Sequence, residues 1–225
     1  MQPQANPFIV PVCHEEIEIL YQDEYLLLIN KPTGLLSLSS KPPHNQDSVH
    51  ARLVKEFPTA TLVHRLDLGT SGIMIVALSK AINANIGNQF QDRTVTKSYT
   101  AVLLGHLKAD TGTMDFPIGK GEFPLQKVCY ETGKKTLTDY QVIKRLQNAD
   151  KGELTSRVEF KPVTGRTHQL RVHSEAFGHP ILGCDLYATD QAFFMADRLM
   201  LHATTIEFNH PITGERIYGV CPCPF

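Results

Sequence analysis

The chain has 225 residues, 42% of them hydrophobic and 20% charged, enough apolar material to bury one sizeable core. Its 22 Lys and Arg against 23 Asp and Glu leave a formal charge of −1, which excludes a globally basic protein but not a local basic cleft. No apolar run approaches the ~20 residues needed to cross a bilayer, and the opening "MQPQANPFIVPVCHEE" lacks the basic start and apolar stretch of a signal peptide, so a soluble, cytoplasmic chain with no membrane partner is expected.

Residues 1–16 read as a loose, Pro-rich N-terminal arm, and residues 17–225 as one domain. Strand candidates near Ile17–Tyr21 and Leu26–Asn30 are split by the turn former Gln22-Asp23-Glu24, and Lys31-Pro32-Thr33-Gly34 ends the second. After the loop "KPPHNQD", Asp47 is placed to cap a short helix through Glu56, with Val49, Leu53 and Val54 on one face. Ile73–Leu78 has the Ile and Val content of a buried strand. Ser79 then caps a helix whose Ile82, Ile86 and Phe90 recur every fourth residue.

"KSYTAVLLG" is a further strand, and His106–Lys127 reads as irregular and partly exposed. "KKTLTDYQVIKRL" and "LTSRVEFKPV" are strands joined by a hairpin turn at "NADKG". "RTHQLRVHSEAFG" is a helix with a Gly178 stop, and "RLMLHATTIEFNHP" with "ERIYGVCP" closes the chain as two strands. Hairpins dominate and few helices intervene, so the expected class is α+β with a mainly antiparallel mixed sheet.

The five cysteines, an odd number, are spread from Cys13 to Cys223 and suggest no disulfide framework; reduced thiols are expected. Neither Cys221-Pro-Cys223 nor the ten histidines shows metal-ligand spacing, so no metal is expected.

Three groups of residues stand out chemically. "HRLDLGTSG" puts His64, Arg65 and Asp67 in a short loop between two apolar runs. Asp67 either caps that turn, as most loop aspartates do, or works from the edge of a sheet that fixes it. In "KPVTGRTHQLRVH", Arg166 follows the corner Thr164-Gly165 just ahead of the helix, while Arg171 and His173 lie on it. Helical charges are often only solvated, whereas a guanidinium at such a corner can hold a carboxylate ionised through paired bonds. Tyr99, in its strand, suits a core position, stacking on a flat base, or proton transfer.

"HRLDLGTSGIMIVALSK", "KSYTAVLLGH" and "KPVTGRTHQLRVHSEAFGHPILGCDLY", in that order, resemble the RluA-type pseudouridine synthases, from "YQDEYLLLINKPTGLLS" to "RLMLHATTIEFNHPITGE". "QKVCYETGKKTLTDY" is similar to the small single-domain branch acting on a tRNA anticodon stem-loop and 23S ribosomal RNA, which carries no S4-type module. Cys221 and the stretch Gly119–Leu125 depart from the family pattern.

The resemblance implies catalytic roles for Asp67, Tyr99 and Arg166, with Arg166 paired to the aspartate. It also implies RNA contacts from Arg65, which fills the space left by a flipped uridine, and from Leu170 against the base. His64 and Arg171 are the remaining RNA-binding candidates. An isomerisation that only moves a glycosidic bond needs no cofactor, and the implied partner is RNA, bound by a monomer. The competing readings are a hydrolase on Asp67 and His64, which lacks a second carboxylate or metal set, a non-catalytic RNA-binding relative, and the same chemistry on a different uridine.

Overall fold

The computed structural model describes residues 9–40, 45–147 and 152–225. The expected loop "KPPHNQD" and the turn "NADKG" fall largely outside them. So do residues 1–8 of the expected arm. Farther along that arm, Arg52 donates to the carbonyls of Cys13 and Glu15, which ties the segment to the domain.

Twelve strands and four helices occur among the described residues. In chain order they begin with β1 (Glu18–Gln22), β2 (Leu26–Lys31), α1 (Val49–Leu53), β3 (Thr61–Leu62), β4 (Ser71–Ala77) and α2 (Lys80–Gln91). There follow β5 (Thr96–Leu104), β6 (Thr111–Met114), β7 (Ile118–Lys120), β8 (Gln126–Val128), β9 (Thr138–Gln147) and β10 (Leu154–Pro162). The chain ends with α3 (Gln169–Ala176), α4 (Asp190–Phe194), β11 (Leu201–Asn209) and β12 (Arg216–Val220).

Ten strands form one sheet in the order β1-β2-β4-β11-β5-β10-β9-β6, with β12 beside β11 and β3 beside β4; β7 and β8 make a separate ribbon. Every strand pair is antiparallel except β4 with β11. The α+β class with a mainly antiparallel sheet therefore holds. None of the described helices is long and apolar enough to cross a membrane.

Local chemistry explains most of the elements. Ser79 caps α2 by accepting the Ile82 N–H, and Ile82 and Ile86 carry its buried face. At α1 the cap is Ser48, which accepts the Ala51 N–H; Asp47 is drawn instead to the Arg52 guanidinium at 2.6 Å. Gly178, in the left-handed region at φ +83°, follows the C-cap of α3 as expected. The stretch read as irregular holds β6, β7 and the start of β8. β6 is an edge strand supported only by β9, and its Thr-Gly-Thr sequence has no apolar alternation to reveal it.

The parallel join of β4 and β11 brings the two ends of the chain's chemistry together. Gly72 and Tyr99 both lie in register with Ala203 of β11. Gly72 sits at φ +112°, and a Cβ there would fall 2.2 Å from the Ala203 carbonyl oxygen, so only glycine permits the approach. Beside it, Ser71 Oγ and His202 Nδ1 are 2.8 Å apart.

Two apolar clusters form the core. One gathers β2, β4, α1 and α2, and the other gathers β5, β10, α3 and the loop before β11. Tyr99 packs against both. The seam between them opens to solvent.

Candidate active site

Along that seam runs a cleft of about 620 Å³, lined by the loop His64–Asp67, the end of α2, the start of β5 and the corner Pro162–Arg171. Asp67 has a side chain 25% exposed, open to solute yet flanked by buried elements.

The loop carrying Asp67 is fastened from beneath. Lys31, the last residue of β2, is fully buried, and its ammonium donates to the carbonyls of Pro32 and Leu35 at 2.7 Å and of Leu68 at 3.2 Å. Three donors meet three acceptors, which satisfies the group although burial pushes its pKa down to about 7. Ser37 Oγ donates to the Leu66 carbonyl and accepts the Leu66 N–H, and Thr33 Oγ1 donates to the Gly69 carbonyl. The segment read as a strand terminator is thus the clamp on the Asp67 loop.

The opposite wall is pinned as firmly. Gln169, 4% exposed, donates to the Leu137 carbonyl and Thr138 Oγ1 and accepts from Thr164 Oγ1 and the Arg166 N–H. That bracket turns the chain from β10 into α3. It moves the helix start to Gln169, three residues past Arg166, and aims the next turn at Asp67.

The guanidinium that meets Asp67 is consequently Arg171, not Arg166. Arg171 Nη1 lies 3.7 Å from Asp67 Oδ2, its Nη2 donates to Asp185, its Nε donates to Cys184 Sγ at 3.3 Å, and its plane covers the Tyr187 ring at 5.1 Å. It is 4% exposed, which corrects the solvated reading of this residue. Arg166 lines the cleft but is exposed, and among the described residues it makes no ion pair within 4 Å. His173, also on α3, is fully buried, with Nε2 2.8 Å from Thr136 Oγ1, and does not line the cleft.

Tyr99 lines the floor. Burial, reinforced by the Asp67 charge, pushes its pKa up, so the phenol stays neutral at physiological pH. Leu170 is buried in the second core with an edge on the cleft. Arg65 is exposed at the mouth. His64 has its Nε2 committed inward, where it accepts the Ile75 N–H at 3.0 Å, and its ring lies 4.9 Å from Phe90. Burial, helped by the Lys97 charge, lowers its pKa to about 3, so it is a neutral imidazole.

The structure brings four further residues to the cleft. His168 lies beside Asp67, with Nε2 at 3.9 Å from Oδ2. Arg93, exposed and left-handed at φ 59°, follows the end of α2. Lys97 stands two residues before Tyr99 on β5, with its ammonium 5.4 Å from the Phe90 ring centre. Its i, i+2 spacing to Tyr99 is the available signal, since such residues share a strand face. Thr70 completes the loop, its N–H bonded to the Asp67 carbonyl.

A neutral phenol, a carboxylate beside a buried guanidinium and a rim of exposed cations suit chemistry on a polyanionic substrate. The chain belongs to the RNA pseudouridylate synthase family, whose model matches residues 25–176. It is a pseudouridine synthase, an isomerase.

Among relatives, it is 47% identical over 209 residues to the dual-specificity RNA pseudouridine synthase RluA of Yersinia pestis, covering 92% of this chain and 99% of the relative. It is 44% identical over 225 residues to the protein of that name in Escherichia coli, covering 99% and 97%. Its fold matches the human RNA pseudouridylate synthase domain containing 1 with a TM-score of 0.80 at 32% identity, over 96% of this chain and 86% of that one.

Proposed function

We propose that the protein isomerises uridine to pseudouridine in two RNAs, a tRNA anticodon stem-loop and a 23S ribosomal RNA hairpin, with Asp67 as the catalytic residue. The observation that carries this reading is the Asp67 carboxylate, held 3.7 Å from the Arg171 guanidinium at the floor of a cleft rimmed by exposed cations. The dual specificity of the RluA relatives supports the pair of targets.

The reaction breaks the N1–C1′ bond, turns the uracil and joins C5 to C1′. The C5 proton leaves and N1 gains one, so atoms balance without a redox step or cofactor. Attack on C1′ and abstraction of the C2′ proton both need an ionised carboxylate, and the Arg171 charge favours it.

A stacked uridine cannot reach the floor and must be flipped, at a cost of a few kcal/mol. Arg65 at the mouth fills the vacated stack with its flat guanidinium, contacts a phosphate and so offsets part of that cost. Below, Tyr99 stacks on the extracted base, a contact worth about 1–3 kcal/mol. Leu170 packs against the base, while Arg166 and Lys97 meet phosphates. The enzyme works as a monomer in the cytoplasm, a reducing compartment that suits its five free thiols.

Tritium release from C5-labelled RNA tests this reading. The isolated anticodon stem-loop and the ribosomal hairpin are both expected to be modified, and Asp67→Asn is expected to bind them yet release no label, because an amide is neither base nor nucleophile. Label release by Asp67→Asn within about tenfold of wild type (1.4 kcal/mol) rejects the residue. Inert stem-loops beside a tRNA modified outside its anticodon arm reject the substrate.

A further inference from the structure

His168 occupies the N-cap position of α3, where a short polar side chain would normally accept a backbone N–H. It makes no such bond. Its backbone is left-handed at φ 58°, a conformation uncommon outside glycine and one that collects at functional sites. The result is a ring turned across the cleft floor. Nδ1 lies 2.7 Å from Tyr187 Oη, and Nε2 faces Asp67 Oδ2 at 3.9 Å.

The proton positions on this ring follow from its neighbours. A bare Nε2 lone pair facing a carboxylate would be repelled, so the tautomer that fits carries its proton on Nε2. Nδ1 is then an acceptor, and Tyr187 must donate its O–H to it. The Tyr187 oxygen still has a lone pair, and it accepts the Gln126 N–H of β8 at 2.9 Å. Two hydrogen bonds thus run in one direction, from β8 through Tyr187 to His168, and the Nε2–H faces the Asp67 carboxylate across 3.9 Å as an electrostatic contact.

We propose that His168 is a positioning residue for Asp67, with its tautomer fixed by Tyr187, and that the β7–β8 ribbon is thereby coupled to the reacting carboxylate. The inference rests on the functional reading of Asp67 given above. The turn between β7 and β8 carries Phe123, 96% exposed, so RNA seated against the ribbon bears on Gln126 and, through Tyr187 and His168, on Asp67. Tyr187 also lies under the Arg171 guanidinium, so one side chain supports both partners of the carboxylate.

The charged groups facing His168 are Asp67, Arg171, Asp185 and Arg65. Burial outweighs the two carboxylates and holds its pKa below the ordinary value, so the neutral ring prevails at pH 7.

Tyr187→Phe removes the hydroxyl and keeps the ring beneath Arg171. It is expected to lower kcat on a stem-loop by about threefold to tenfold, the worth of one neutral hydrogen bond, with KM and thermal midpoint little changed. His168→Ala is expected to cost about tenfold, since the N–H dipole facing the carboxylate and the ring that the Tyr187 hydroxyl holds are both absent. His168→Gln places an amide N–H where Nε2–H was and restores most of that loss. In that background Tyr187→Phe has no further effect on kcat.

Nitrogen-15 spectra of histidine-labelled free protein at pH 7 should show the Nε2–H tautomer for His168, mixed with the other form in Tyr187→Phe. The Nδ1–H tautomer in the wild type overturns the proposal, as do unchanged kcat in folded His168→Ala or fully additive losses. The spectra need no substrate, so they judge the relay even where the RNA reading fails. A wild-type protein that makes no pseudouridine counts against that reading alone.

Discussion

Arg171 and Arg166 stand five residues apart on one segment and live in opposite surroundings. The first is buried at the cleft floor, with Asp67, Asp185, Cys184 and the Tyr187 ring around its plane. The second is exposed at the rim, like Arg65 and Arg93, without an ion pair among the described residues. A buried guanidinium is tolerable only where its hydrogen bonds and charge are met, so the fold itself holds the floor together. Rim cations lose little by staying solvated. They become useful when a polyanion arrives and releases its counterions. On the proposed function, the floor sets what happens to a bound nucleotide and the rim sets how tightly RNA is held.

The sharpest way to break this division is to remove each arginine in turn. Arg171→Met strips Asp67 of its nearest cation and leaves Asp185 and Cys184 without a partner. The expected loss is at least about 10²-fold in kcat, some 2.7 kcal/mol. The lost bonds and packing of the buried guanidinium also lower the thermal midpoint, moderately, because the carboxylates left behind reach solvent. Arg171→Lys recovers little, because one ammonium cannot serve Cys184, Asp67 and Asp185 from a fixed plane. Arg166→Met should leave the midpoint unchanged. If calorimetry and turnover place Arg166→Met beside Arg171→Met, floor and rim are not distinct.

How far the sequence anticipates this division depends on which residue is considered. The strings around Asp67 and Gly165 locate both walls of the cleft, since Gly and Thr corners between apolar runs mark sites. The choice between the two arginines is not legible there. It turns on the Gln169 bracket, two of whose four hydrogen bonds reach back to Leu137 and to Thr138 at the start of β9. Lys31 reads as the end of a strand because lysine is almost never fully buried, and only three converging carbonyls overturn that prior. The hairpins point to the α+β class. The parallel join of β4 and β11, by contrast, links Ser71 to a partner 131 residues away, beyond any local pattern. The role of His168 depends on a left-handed backbone that its residue type does not announce.

A smaller effect sharpens the rim. Arg65→Ala and Arg166→Met should each weaken stem-loop binding and leave kcat at saturating RNA within a few-fold. In each, the slope of log affinity against log salt should become shallower by about 0.7 to 0.9, as expected when one fewer phosphate is neutralised. Filter binding between low and moderate salt measures it. Arg171→Met should keep the wild-type slope, since its guanidinium is already occupied by the protein. A flattened slope in Arg171→Met, or an unaltered one in Arg166→Met, would exchange their roles.

The smallest effect on RNA binding at pH 7 concerns His64, whose place at the cleft suggests the rim but whose hydrogen bond belongs to the floor. Its Nε2 accepts the Ile75 N–H of β4, so a proton there would break a backbone bond inside the sheet. Burial, with Lys97, holds its pKa at about 3, against the ordinary 6.5 that it regains on unfolding. Between those values the unfolded chain binds a proton that the folded one refuses. Stability from this residue is complete above pH 6.5 and falls as the pH drops toward 3, by at most ~1.4 kcal/mol per pH unit. His168, His173 and His202 are shifted the same way, so the share of His64 is read as a difference. His64→Gln keeps an acceptor for the Ile75 N–H and has nothing to titrate. Its acid-unfolding midpoint should lie at lower pH than that of the wild type, with stem-loop binding at pH 7 almost unchanged. Identical midpoints together with weakened binding would move His64 out to the rim, as a residue that touches RNA.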